Sequence, residues 1–541
     1  MLSRRNAMLS ALAAAALPTG PSLAQTPPAG AADPVTVLQV QRRSIEVNGK
    51  PASILSVHQP DGTPGLTTKV GQRFRVRLEN QLDVPTLIHW HGMTPPWQQD
   101  GVPGVSGPPI APGASGEYDF PLRFGGTFWM HSHEGLQEQA LLAAPLIIHD
   151  DRDLPGQQEI VVMLADFSFT PAEMIYENLR KGGAMAGMAM PGMAMPAAPA
   201  GMAMPGAAPG MAMPGAAPGM APGMAMPGAA PGMAPGMAMP GAAPGTTAHG
   251  MPMPAAKPTA PMGSKPGAAA APDLNDVTYD AFLANDRTLR DPQVIAVEPG
   301  ASILLRIINS SAMSAYHLDL GALNGELIAV DGFRVRPIAG RRFPVTVAQR
   351  LDIRIKLPRE PAAHPILAIL EGERSQTGVI LKAGSRAAVR RVPDTAAAAS
   401  AALNYDLERR LRALEPLAVR KADRVHTLDL TGQMTGYVWS INGVVWNPDV
   451  PPLPIAKGER VELVFQNRTP MPHPMHLHGH EFQVVEINGQ RFPGPVRDTV
   501  LVTPGARVVV AFDANNPGLW AMHCHLLYHM DAGMFTTLRY V

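Results

Sequence analysis

One local pattern occurs three times along this chain. Val70-Gly71 opens a run that ends at Asn80, Pro299-Gly300 opens one that ends at Asn309, and Lys457-Gly458 opens one that ends at Asn467, with nine residues from Gly to Asn in every copy. Apolar side chains alternate in the first run (Phe74, Val76, Leu78) and lie together in the second (Ile303-Leu304-Leu305), as in strands buried on one face and on both. A turn followed by such a strand, repeated at domain-sized spacing, predicts an all-β chain of three related Greek-key sandwiches. The length of 541 residues and the apolar fraction of 46% suffice for that many cores. The expected domains are residues 35–150, 155–385 and 421–541, with a connector at 386–420. Between Leu403 and Leu414 leucines recur at helical spacing among Asp, Glu and Arg, which predicts a short connector helix.

Histidines follow the same register. His89-Trp90-His91 begins nine residues after Asn80 and His476-Leu477-His478 nine after Asn467, whereas Leu318 and Leu320 hold those positions after Asn309. A second echo sets His131-Ser132-His133 eighteen residues after Gly113 and His523-Cys524-His525 eighteen after Gly505. Alternate residues of a strand share a face, so each His-x-His pair presents its two imidazoles together. Four pairs give eight imidazoles in the first and last domains, enough for a multinuclear metal cluster between them. The middle copy has no such pair, and its His317 is expected to be structural.

Cys524 is the single cysteine, so no intramolecular disulfide exists and the thiol is free for other chemistry. On a strand it faces away from His523 and His525. Thiolate and imidazole suit copper, and a trigonal Cys-His-His set with a weak axial thioether is the blue-copper arrangement. His529 and Met534, five and ten residues after Cys524, supply one imidazole and the axial sulfur; the cluster His473-Pro474-Met475-His476-Leu477-His478-Gly479-His480 offers the second imidazole. In the first domain Thr86, Ser132, Gln137 and Leu142 stand where His473, Cys524, His529 and Met534 stand in the last. The thiolate site is therefore expected only in the last domain.

These motifs resemble the three-domain multicopper oxidases, the group that includes laccases, bacterial cuprous oxidases and copper-resistance oxidases. The resemblance implies cupredoxin-like domains and four copper ions: a type 1 copper on His473, Cys524, His529 and axial Met534, a type 2 copper on His89 and His476, and a type 3 pair on His91, His131, His133, His478, His523 and His525. It implies reduction of O₂ to water by four electrons passed from Cys524 through its covalent neighbours His523 and His525. Asp100, eleven residues after His89, stands where the family carries an acidic residue near the cluster and is the proton-relay candidate, the alternative being a turn role in Asp100-Gly101. Tyr528 occupies the position before His529 where some bacterial relatives carry Glu. The run His523 to Met530, with Gly135-Leu136-Gln137-Glu138-Gln139, looks most like the copper-resistance branch.

Residues 181–272 interrupt the second domain with repeats of Ala, Gly, Pro and Met. Eighteen of the 31 methionines lie from Met185 to Met262, many as Met-Ala-Met or Met-Pro-Met. Such a composition cannot bury a core and predicts disorder, while paired thioethers are soft ligands for Cu(I). The N-terminus carries Arg4-Arg5, an apolar run from Ala7 to Leu17 and Ser22-Leu23-Ala24, the plan of an export signal over residues 1–24, with the arginine pair favouring the twin-arginine route. A periplasmic or extracellular protein with no integral membrane segment is expected. Forty-four basic residues balance 44 acidic ones, which gives no reason to expect nucleic acid as a partner. The leading functional expectation is oxidation of Cu(I) to Cu(II) with O₂ as acceptor, for copper tolerance. A laccase acting on phenols and aromatic amines is the alternative from the same chemistry, and a non-enzymatic copper-binding protein the alternative from outside it.

Overall fold

The computed structural model describes residues 34–151, 156–182 and 274–541, and there the three repeat strands take the same place in three β-sandwiches. Arg73–Asn80, Ser302–Asn309 and Arg460–Asn467 pair in parallel with Thr36–Val47, Gln158–Phe167 and Arg424–Gln433. On their other edges they pair antiparallel with Ser115–Pro121, Arg350–Lys356 and Arg507–Asp513. A second sheet faces each of these, and in it Ile88–His91 pairs with Gly126–Ser132, Tyr316–Asp319 with Ala362–Leu370, and His473–Leu477 with Leu519–Cys524.

The repeated residues have one task each. Gly71, Gly300 and Gly458 all sit at positive φ, +90°, +74° and +89°, where a side chain is strained. The three asparagines brace the two sheets of their sandwich. Asn80 Nδ2 donates to the carbonyls of Val84 and Ile110, Asn309 Nδ2 to Ser314 and Val345, and Asn467 Nδ2 to Met471 and Val502, while each side-chain oxygen accepts an amide two residues on. The loop after the strand is thereby fixed, and residues nine positions later arrive on the facing sheet. In the middle sandwich those residues, Leu318 and Leu320, join Ile366 and Ala368 in an apolar core. His317 bonds the backbone carbonyl of Ala401 at 3.0 Å, a structural contact.

The connector helix expected between Leu403 and Leu414 does not form. Only one turn coils, with Arg409 N donating to Tyr405 O and Leu411 N to Leu407 O. Its side chains anchor in different cores, Leu407 and Leu411 under the middle sandwich and Tyr405 under the last, and Arg334 and Arg336 bond the chain beyond Leu411 as a strand would. Competing anchors outweigh helical spacing.

The export signal at 1–24 and the methionine-rich segment, apart from Lys181 and Gly182, lie outside the described residues. Among those described, no helix is long and apolar enough to cross a membrane.

Candidate metal centre

The tail ends of four short strands carry the site. Ile88–His91 and Gly126–Ser132 bring His89, His91, His131 and His133 from the first sandwich; His473–Leu477 and Leu519–Cys524 bring His476, His478, His523 and His525 from the last. All eight are buried, and they sort into groups whose ligand nitrogens lie within 4.8 Å of one another: His91 with His131 and His525, His133 with His478 and His523, and His89 with His476 beside His91. Each of the first two triplets takes histidines from both sandwiches. His523 and His525 point into different triplets, while Cys524 between them turns the opposite way, as strand alternation requires.

Cys524 meets His473 and His529. The sulfur lies 3.6 Å from His473 Nδ1 and 3.9 Å from His529 Nδ1, and the two nitrogens are 3.2 Å apart. Met534 is fully buried next to them, its carbonyl accepting from Cys524 N and its amide bonding His529 O. The corresponding place in the first sandwich carries a hydrogen-bonded trio instead, with Thr86 and Ser132 hydroxyls donating to Gln137 Oε1 at 2.8 and 2.9 Å.

Acceptors around the rings decide which nitrogen faces inward. Thr469 Oγ1 at 2.7 Å holds His473 Nε2, and Asp276 Oδ2 at 2.8 Å holds His529 Nε2, so both present Nδ1 to the sulfur. In the histidine cluster Asp100 Oδ2 takes His478 Nδ1 at 2.8 Å and the Asp100 carbonyl takes His89 Nδ1 at 2.8 Å. Asp498 does the same for the other side, its carbonyl accepting from His476 Nδ1 at 2.8 Å and its Oδ1 from His91 Nε2 at 3.1 Å. Glu138 Oε2 lies 2.9 Å from His131 Nδ1. Trp439 stacks on His529 at 3.9 Å and Trp129 on His131 at 4.3 Å, which pins the rings.

This donor set fits metal ions on three counts. Inward nitrogens of His89, His133, His476 and His525 are buried without a hydrogen-bond partner, a cost that an ion removes. His478 Nε2 faces His523 Nε2 at only 2.9 Å, where two lone pairs need a cation or proton between them. Burial, added to the crowding of neighbouring imidazoles, holds His91, His131, His133, His476 and His478 well below the ordinary histidine range, so they present lone pairs at neutral pH. Burial likewise pushes the Cys524 thiol up, and a bound cation is what makes it a thiolate.

Asp276 and Asp498 escaped the reading of the sequence, and Glu138 was named there only within the run from Gly135 to Gln139, without a role. Glu138 follows Gln137, the residue in register with His529, and that register was the one available signal. Asp498 repeats the role of Asp100, but it lies 22 residues after His476 where Asp100 lies 11 after His89, so register did not point to it.

Comparison with known proteins agrees with this geometry. Three family patterns, each described as multicopper oxidase, match residues 39–153, 253–391 and 420–541 and together span more than half of the chain. Among relatives, the multicopper oxidase MmcO of Mycobacterium tuberculosis (strain ATCC 25618 / H37Rv) is 27% identical over 93% of this chain and 86% of its own length. The copper resistance protein A homolog of Pseudomonas syringae pv. tomato (strain ATCC BAA-871 / DC3000) is 27% identical over 93% and 91%. Laccases stand among the further matches. The crystal structure of Fet3p, a multicopper oxidase that functions in iron import, superposes with a TM-score of 0.69 at 18% identity, covering 94% of this chain and 90% of that one, which shows a shared fold. This chain belongs to the multicopper oxidase family, whose members carry four copper ions as a type 1 centre, a type 2 centre and a type 3 pair.

Proposed function

We propose that this oxidase is exported and oxidises Cu(I): four Cu(I), one O₂ and four protons give four Cu(II) and two waters. One observation carries the choice of donor. A cavity of about 450 Å³ is bordered by Lys181 and Gly182, where the methionine-rich segment leaves the described chain, and by Asp276, just after its return. Asp276 is the acceptor that holds His529. The described residues that flank the methionine-rich segment thus border the cavity beside His529, and soft thioethers suit Cu(I). Relatives named for copper resistance support the same reading.

His473, Cys524, His529 and Met534 are the type 1 ligands in this proposal, and His89 with His476 the type 2 ligands. His91, His131 and His525 hold one member of the type 3 pair; His133, His478 and His523 hold the other. Copper bound there supplies one-electron acceptance from the donor and reduction of O₂ at the cluster. The chain's own contribution is orientation, exclusion of water and proton delivery. Asp100 is buried against His478, and its second oxygen, 3.3 Å from His89 Nδ1, completes no hydrogen bond, the geometry that supports it as the proton relay. A cavity of about 360 Å³, lined by Val102, Val105, Trp446 and Phe535 together with the polar Asp531 and Arg539, reaches His133 and offers O₂ a path to the cluster.

Laccase activity is the second reading, favoured by Ile175, Leu179 and Val277 in the walls of the Asp276 cavity, which suit an aromatic ring. The complete ligand set argues against a binding-only protein. Oxygen uptake driven by Cu(I) and by a methoxyphenol separates the readings. We expect a higher kcat/KM for Cu(I), loss of all uptake in Cys524→Ser with the fold intact, and a weaker Cu(I) dependence when residues 185–262 are deleted. Faster turnover of the phenol, unaffected by that deletion, would overturn the cuprous assignment.

A further inference from the structure

The middle sandwich contributes none of the cluster histidines, yet it sends one charged side chain to the cluster's edge. Arg350 begins the strand Arg350–Lys356 and is completely buried. All five of its N–H donors are used. Nε donates to Thr127 O in the first sandwich at 3.1 Å; one terminal nitrogen donates to Ala348 O at 3.0 Å and Asp498 Oδ1 at 2.8 Å; the other donates to Asp331 O at 3.0 Å and makes a very short contact with Asp498 Oδ2. One guanidinium therefore touches all three sandwiches and grips both oxygens of Asp498.

Asp498 is the residue that orients a ligand of two different coppers, His91 through its carboxylate and His476 through its carbonyl. This step rests on the ligand assignment proposed above. The chain just after His91 passes against the ion pair so closely that a Cβ on Gly92 would lie 2.6 Å from the Arg350 guanidinium and 2.7 Å from Asp498 Oδ2. The geometry holding Arg350 is itself constrained. Ala348, a buried residue at φ +68°, takes a conformation that side chains rarely adopt, and its amide and carbonyl are tied to Asn309 and Arg350. Gln349 adds a bond from Nε2 to Thr499 O at 3.1 Å. Behind Asp331, Arg497 bonds both Asp331 Oδ2 and Glu408, so the network continues into the connector.

We infer that Arg350 is a positioning residue for the copper cluster: by clamping Asp498 from the middle sandwich, which supplies no cluster histidine, it sets the orientation of His91 and His476. A bidentate guanidinium fixes the plane of a carboxylate, which an ammonium does not. The competing role is an ion pair that merely docks the sandwiches, and it predicts a change in stability alone.

The test uses the copper-loaded full chain with Arg350→Lys and Arg350→Met. Blue type 1 absorption reports that the last sandwich is folded; chelator competition and the type 2 electron paramagnetic resonance signal report the cluster. We expect both variants to keep the blue absorption and to lose affinity for cluster copper by up to roughly 10–100-fold, the effect of losing a ligand's own hydrogen-bond partner such as Asp498, with an altered type 2 signal. If Arg350→Met yields no blue protein, Arg350→Lys decides by the same readouts. Wild-type chelator competition and an unchanged type 2 signal in the folded variants would overturn the inference, whatever happens to Tm. Absence of a type 2 signal in the wild type would instead overturn the ligand assignment on which it rests.

Discussion

Five of the eight cluster histidines, His89, His91, His131, His476 and His478, carry their chemistry on one nitrogen because a fixed acceptor occupies the other. Five such acceptors come from only three residues, Asp100, Asp498 and Glu138, and the family resemblance pointed to a role for just the first of them. The histidines were legible because strand alternation is local; the roles of Asp498 and Glu138 were not, because each reaches its ring from outside the histidine strand. Asp276 is the functional extreme. It lies in the middle sandwich, accepts from His529 Nε2, and also takes a 2.5 Å hydrogen bond from the Tyr437 hydroxyl. Replacing Asp276 by Asn keeps the shape and removes a carboxylate beside the proposed type 1 ligands. We expect the type 1 potential to rise, since the anion favours the more highly charged oxidised state, and kcat/KM for Cu(I) to fall about tenfold, the worth of one charge-assisted hydrogen bond. Redox titration of the blue absorption and oxygen uptake check both; an unchanged potential removes Asp276 from this role.

Among elements, the two sheets of each outer sandwich are braced by the repeat asparagine, so the spacing from Asn80 to His89 and from Asn467 to His476 measures a loop rather than a coincidence. The same loop in the middle sandwich delivers leucines to a core. The short segment after Ile88–His91 is set with similar tightness. Gly101 sits at φ +85°, and a Cβ there would lie 1.9 Å from the Ile88 carbonyl and 3.0 Å from His89 Cα. Gly101→Ala should cost about 1–3 kcal/mol from backbone strain alone, and more from the displaced strand. It should lower Tm and deplete type 2 copper before type 1 copper, measured by thermal unfolding and metal analysis. Equal loss of both coppers would mean that the damage is not local to His89. The connector shows the reverse case, where helical spacing between Leu403 and Leu414 was overruled by anchors in separate cores.

At the scale of the whole molecule, both histidine triplets draw on the first and last sandwiches, so copper held in them as proposed would crosslink segments about 400 residues apart. Metal affinity is then folding energy for the pair. Stripping copper with a chelator should lower the unfolding midpoint and separate one cooperative transition into two. The shift corresponds to about 4 kcal/mol when copper exceeds its Kd a thousandfold. Differential scanning calorimetry of loaded and stripped protein checks this; identical traces would show that protein contacts alone join the outer sandwiches.

The sequence by itself determined three sandwiches, because a turn glycine, a strand and a bracing asparagine act within a few residues of one another. It also determined that four His-x-His pairs lie on the faces of strands and that one thiol lies between two of the histidines, since alternation along a strand is a property of the backbone. Only the tertiary structure decided how six histidines divide into two triplets, because that partition depends on how the first sandwich meets the last. It alone brought Asp276, Glu138, Asp498 and Arg350 to the rings, for these contacts join residues far apart in the chain. Local periodicity carries no record of such contacts; packing between domains creates them.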